Sequence, residues 1–230
     1  MTLVSHKYKF IYLKNYKVAG TSVEDFFSKW CINPNSDFTY QTTISVTDSS
    51  GDENIDDYGI VGRTNGTGSD VWRCHSSGVK IKEEFEKDEN LGLDKFEEYL
   101  KFCVIRNPYD KMVSFYFWQT QHPLGHHSHE YFGVSFKEYC KMTQLNNLNI
   151  HGVNGKSLCD YFIRYEHLEA DIVELCKLLN LPEYDISTLP RHKSGIRDSD
   201  KSYREYYDEE TKQIVYESHK KEFEMFGYEF

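Results

Sequence analysis

A chain of 230 residues that is 39% hydrophobic and 16% aromatic, with 18 tyrosines and 15 phenylalanines, has ample apolar surface for a core and is not a disordered polypeptide. Its 27 lysines and arginines against 37 aspartates and glutamates leave a formal charge of −10, which excludes a broad nucleic-acid footprint but not a local basic pocket for a small anion. No run approaches the ~18 consecutive apolar residues of a membrane span, and Lys7 and Lys9 interrupt the only apolar run near the N-terminus, so a soluble, cytoplasmic, single-domain protein is expected.

In chain order, residues 8–13 alternate and are β-rich, predicting a strand. A tight loop follows over Lys14 to Ser22, then an apolar-periodic helix over 23–30. Residues 33–70 are dense in Ser, Thr, Asn, Asp and Gly and predict a surface excursion with one short strand near 58–61. The charged stretch 79–100 predicts an exposed helix, and residues 100–105 a buried strand ending at Arg106-Asn107-Pro108, with Pro108 suited to the first turn of the next helix. A His-rich loop over 121–131 precedes a helix at 135–142, a strand at 160–164, an amphipathic helix at 166–180 and a last helix at 209–226. Strands alternating with helices indicate an α/β domain with a mainly parallel sheet flanked by helices. The six cysteines (Cys31, Cys74, Cys103, Cys140, Cys159, Cys176) stand singly, with no CxxC pair, and read as reduced thiols that pack.

Two loops carry chemistry. A glycine-containing turn between a strand and a helix N-terminus, here Lys17-Val18-Ala19-Gly20-Thr21-Ser22, presents backbone N–H groups to a phosphate or sulfate. It is not GxxxxGK[ST], because its lysine precedes the glycine. Taken alone, it fits an ordinary turn before a helix equally well. The second is Arg106-Asn107-Pro108-Tyr109-Asp110-Lys111-Met112-Val113-Ser114-Phe115-Tyr116, with a fork-shaped phosphate ligand, Arg106, at a strand C-terminus and a hydroxyl, Ser114, two helical turns on. Ligands of open α/β sheets bind outside the carboxyl ends of strands, where both loops fall.

Together these segments resemble the sulfotransferases that use 3′-phosphoadenosine 5′-phosphosulfate (PAPS), in the branch that holds the Golgi carbohydrate sulfotransferases. In that family a K-x-x-G/S-T-S loop binds the 5′-phosphosulfate, matched here by Lys17 to Ser22, and an RNPYDRxVSxY-like segment binds the 3′-phosphate, matched by Arg106 to Tyr116 with Lys111 for the second arginine. Residues 160–168, 203–207 and 223–228 are similar to the family's C-terminal third. Tyr16 stands where a proline often precedes the loop lysine, residues 33–70 have no counterpart, and no signal-anchor is visible. The resemblance implies a P-loop-like three-layer fold and PAPS as co-substrate. Lys17, Ala19, Gly20, Thr21, Ser22, Arg106 and Ser114 would bind it, Lys193 and Ser194 would form a C-terminal clamp, and a hydroxyl acceptor, a glycan, would receive the sulfuryl group without a metal.

Sulfuryl transfer resembles phosphoryl transfer: an acceptor oxygen attacks in line while charge builds on the leaving nucleotide. Lys17 is the natural group to meet that charge, and His75, ahead of a helix between the two motifs, is the base that the resemblance implies. A solvated or core histidine is the plain alternative. His122, His126, His127 and His129 have HxH spacing but no partner of diagnostic spacing, so a solvated loop is expected rather than a metal site. Arg164 is expected to pair with Glu166 or Glu169, and Trp30, Trp72 and Trp118 to line the core or a cleft. A P-loop phosphotransferase would need a lysine after the glycine and a Mg²⁺-holding aspartate, neither found with the right spacing; a non-catalytic nucleotide-binding module stays open.

Overall fold

The computed structural model describes residues 2–40, 54–62, 71–121, 131–143, 145–192, 196–197 and 201–230. It forms two compact units, Met1–Ile105 with Asn147–His192 and Arg106–Asn146 with Lys193–Phe230.

The strands are β1 (Leu3–Ser5), β2 (Phe10–Leu13), β3 (Asn54–Ile55), β4 (Gly59–Val61), β5 (Leu100–Ile105), β6 (Gly152–Val153), β7 (Lys156–Ser157) and β8 (Tyr161–Arg164). The helices are α1 (Gly20–Ser28), α2 (Gly78–Lys87), α3 (Leu93–Glu98), α4 (Pro108–Gln121), α5 (Phe136–Met142), α6 (Leu148–His151), α7 (Leu168–Leu178) and α8 (Glu209–Phe226), of which α4, α5 and α8 belong to the second unit.

In the first unit a six-stranded sheet runs β3-β4-β1-β2-β5-β8, and β6 pairs with β7 separately. Its centre is parallel as expected, β5 lying between β2 and β8 with Leu13 opposite Cys103 and Cys103 opposite Phe162. Beyond β2 the pairings are antiparallel, β1 with both β2 and β4 and β3 with β4, so the sheet is mixed. The cause is connection length: four residues join β1 to β2, enough for a turn and far too few for a crossover.

Alternate residues of β5, Phe102 and Val104, join Phe10 and Tyr12 in an apolar cluster with Phe26 and Phe27 of α1 and Ile172 and Leu175 of α7. On the opposite face α2 begins at Gly78, where a Cβ would come within 3.0 Å of Leu13 and 2.8 Å of Leu158. Helices therefore cover both faces of the sheet.

Three expectations are corrected. The short strand expected near 58–61 is present as β4, but it is buried within the sheet rather than on the surface: a Cβ on Gly59 would lie 2.4 Å from the Val4 carbonyl oxygen and 2.6 Å from that of Cys31. Residues 41–53 and 63–70 lie outside the described residues. The helix expected over 79–100 is two, because Asp88 turns the chain by accepting from the Asn90 N–H at 2.8 Å and Gly92 takes φ 74°. Arg164 pairs with Asp171, through Nε at 2.8 Å and Nη2 at 2.6 Å, rather than with Glu166 or Glu169. Trp30 and Trp72 are buried, as expected of core residues.

In the second unit α4, α5 and α8 surround Tyr109, Met112, Tyr139, Val215 and Phe223. Lys111, the lysine in the arginine position, is wholly buried and reaches both carboxylate oxygens of Glu222 at 2.6 and 2.9 Å. Burial lowers its pKa despite that partner. Its position is thus committed to joining α4 to α8. Among the described residues no helix is long and apolar enough to cross a membrane.

Candidate active site

The apolar run of β2 stops at Lys14, and the chain turns into α1 through two left-handed residues, Lys17 and Ala19, both at φ 59°. Side chains with a Cβ adopt this region at a cost of roughly 1–2 kcal/mol each, so the loop is held by its surroundings. Asn15 donates from Nδ2 to the Val104 carbonyl at 2.9 Å. Tyr16 is clamped at both backbone groups by Asn147, whose Oδ1 accepts from the Tyr16 N–H at 3.0 Å and whose Nδ2 donates to its carbonyl at 3.3 Å. Beneath the loop, Lys14 and Glu24, 8% and 1% exposed, form a buried ion pair. Burial opposes the charge of Glu24, but the Lys14 ammonium holds its carboxyl below the ordinary range.

The helix begins at Gly20, three residues earlier than the periodicity predicts, so Gly20, Thr21 and Ser22 form its first turn. A Cβ at Gly20 would press within 3.1 Å of Lys14 Cγ and 3.3 Å of the Asn15 carbonyl oxygen, which is why the loop can close here. First-turn N–H groups lack intrahelical acceptors and attract anions, and no acidic residue stands in this turn to oppose one. Ser22 is a partial exception: its N–H donates to the Ala19 carbonyl at 3.0 Å, and its Oγ accepts from the His192 N–H at 3.1 Å. Gly20 and Thr21 are therefore the better placed donors of the three.

His75, itself at φ 59°, is brought against this loop. Its ring stacks on Tyr16 with centroids 3.8 Å apart and planes 14° from parallel, and its Nδ1 lies 2.9 Å from the Lys14 carbonyl oxygen. A carbonyl only accepts, so Nδ1 carries the proton and the neutral ring keeps its lone pair on Nε2.

The second motif opens the second unit. Asn107 Oδ1 accepts from the Tyr109 N–H at 3.0 Å, starting α4, while its Nδ2 donates to the Glu229 carbonyl at 2.7 Å and so tethers the C-terminal segment. Arg106 is 7% exposed and donates through Nε to Asp110 Oδ2 at 2.8 Å, with Nη2 at the same distance. Arg197 donates to the other oxygen, Oδ1, at 2.6 Å. One carboxylate thus fixes two guanidinium groups, and the triad keeps a net positive charge. Ser114 lies on α4, partly exposed.

Sequence reading missed Lys14, Glu24, Asn147, His192 and Arg197. His192 is described at the edge of the predicted clamp, its Nε2 2.7 Å from Asp25 Oδ2. Lys193 and Ser194, like His122, His126, His127 and His129, lie outside the described residues.

The profile of the sulfotransferase family matches residues 1–229. An uncharacterized protein of Archaeoglobus fulgidus is 33% identical over 99 residues, which span 40% of this chain and 78% of that protein. No solved structure matches the chain. With a family match that runs from the strand-loop-helix at one end to the segment tethered by Asn107 at the other, the chain belongs to the sulfotransferase family.

Proposed function

We propose that the chain transfers the sulfuryl group of PAPS to a hydroxyl acceptor of the carbohydrate class, by in-line displacement with His75 as base. The observation that carries this reading is the seat of His75: its proton is fixed on Nδ1 by the Lys14 carbonyl, beside the loop whose left-handed turn and acid-free helix start suit an anion. The family supports sulfuryl transfer in general.

The loop fits a phosphosulfate in charge and donor type. PAPS supplies the sulfuryl group and a stabilised bisphosphate leaving group. Lys17, with the N–H groups of Gly20 and Thr21, neutralises the negative charge that builds on the bridging oxygen. By the family resemblance Arg106 and Ser114 are the residues assigned to the 3′-phosphate, and Asp110 keeps the Arg106 and Arg197 guanidinium groups oriented. His75 Nε2 accepts the acceptor hydroxyl's proton, and the ring becomes a cation that the Lys14 carbonyl stabilises through Nδ1–H.

His75→Asn tests this assignment, since the amide can still donate to the Lys14 carbonyl but cannot take a proton. Transfer of labelled sulfate from PAPS to a panel of hydroxyl sugars should fall by roughly a hundredfold or more, while affinity for the bisphosphate product stays within about twofold of wild type. Unchanged turnover would place the base elsewhere.

A further inference from the structure

We propose that Cys103, His151 and Cys159 form a buried Zn²⁺ site beneath the loop-bearing end of the sheet. The three are 48 and 8 residues apart in sequence, which is why spacing gives no sign of them, yet their ligand atoms all lie within 4.8 Å of one another. Cys103 and His151 are wholly buried and Cys159 is 9% exposed. Cys103 sits in β5 between Leu13 of β2 and Phe162 of β8, His151 ends α6, and Cys159 leads into β8.

The surroundings are arranged as a metal site requires. Ser157 Oγ donates to the His151 carbonyl at 3.3 Å, so it accepts from His151 Nδ1–H at 2.9 Å; the imidazole then offers Nε2 as its ligand nitrogen. The same hydroxyl accepts from the Cys159 N–H at 3.0 Å, so one serine orients two of the three ligands. Donors of this kind, two thiols and an imidazole, select soft and borderline ions. Charge then decides among those ions: two thiolates and one Zn²⁺ sum to zero, whereas two thiolates and Cu⁺ would leave a buried negative charge. Bonds of ~2.3 Å to sulfur and ~2.0 Å to nitrogen place ligand atoms ~3.5–3.8 Å apart, so side-chain shifts of ~1 Å close the site around an ion. Binding releases the two thiol protons, and three protein ligands leave one tetrahedral position for water or an added ligand.

The ion would tie α6 to β5 and β8. Asn147, which clamps Tyr16 of the anion-binding loop, immediately precedes α6 in the chain.

Because the site is closed, the protein is produced in zinc-supplemented medium and, separately, unfolded and refolded with Zn²⁺, then desalted for metal analysis. Wild type should hold about one Zn²⁺ per chain, and Cys103→Ser and Cys159→Ser each less than about a tenth of that. A variant with His122, His126, His127 and His129 changed to Asn should keep its zinc, and refolding with Co²⁺ should give a sulfur-to-cobalt charge-transfer band that the cysteine variants lack. Wild type without stoichiometric zinc after refolding would overturn the site, whatever becomes of the variants. Zinc retained in both folded cysteine variants, or lost with the four histidines, would overturn it equally.

Discussion

Replacing Glu24 by Gln leaves the Lys14 ammonium buried under the β2–α1 loop, proposed above to bind the anion, without its carboxylate. Both groups are more than nine-tenths buried, and the Lys14 stem packs against Gly20, so the side chain has no easy route to water. Breaking such a pair from one side costs about 3–5 kcal/mol. For 230 residues this corresponds to a fall in Tm of roughly 6–10 °C. Thermal and urea unfolding of wild type, Glu24→Gln, Lys14→Met and the double variant Lys14→Met/Glu24→Leu would form a double-mutant cycle. The double variant should recover most of the loss, since a well-packed apolar pair replaces a desolvated ionic one at little cost. If Glu24→Gln lies within about 1 kcal/mol of wild type, or the double variant loses the sum of the two singles, the pair does not support the loop.

Lys17→Ala and Arg106→Ala should each weaken binding of 3′-phosphoadenosine 5′-phosphate by roughly 2–4 kcal/mol through lost charge-assisted contacts, read by calorimetric titration; unchanged affinity would remove that residue from the site. His219 is buried between the carbonyls of Val215 and Leu145, and burial pushes its pKa down to about 4. Between pH 6.5 and 4 the unfolded chain therefore takes up a proton that the folded chain refuses. The His219 contribution to stability should fall by roughly 3 kcal/mol as pH drops through that window. His219→Gln should remove that part of the slope, and an unaltered slope in urea midpoints against pH would refute the assignment.

What was legible in the sequence was what is local. The β2-loop-α1 and β5-α4 segments announce themselves by apolar runs that end at a lysine, a glycine or a proline, and both loops proposed to bind the nucleotide fall within such segments. Strands β1 and β3, three and two residues long, are below the length at which alternation can be seen, whereas β4 falls where the short strand near 58–61 is expected. The break between α2 and α3 depends on one aspartate turn within a charged stretch whose composition is otherwise helical. The contacts that shape the site are remote in sequence: Asn147 lies 131 residues from Tyr16 and His75 lies 61 from Lys14. Lys14 gave no signal, because a lysine at the end of a strand is ordinarily a solvated residue and its carboxylate partner was hidden on the buried face of α1.

The central claim, a nucleotide site built for PAPS, is tested most directly by thermal unfolding with excess 3′-phosphoadenosine 5′-phosphate beside samples with ATP and Mg²⁺. At a hundredfold over the dissociation constant, binding should add about 2.7 kcal/mol, an upward shift of several degrees. A shift with the bisphosphate and none with ATP and Mg²⁺ is the predicted result. A shift with ATP and Mg²⁺ alone, or with neither, would contradict it.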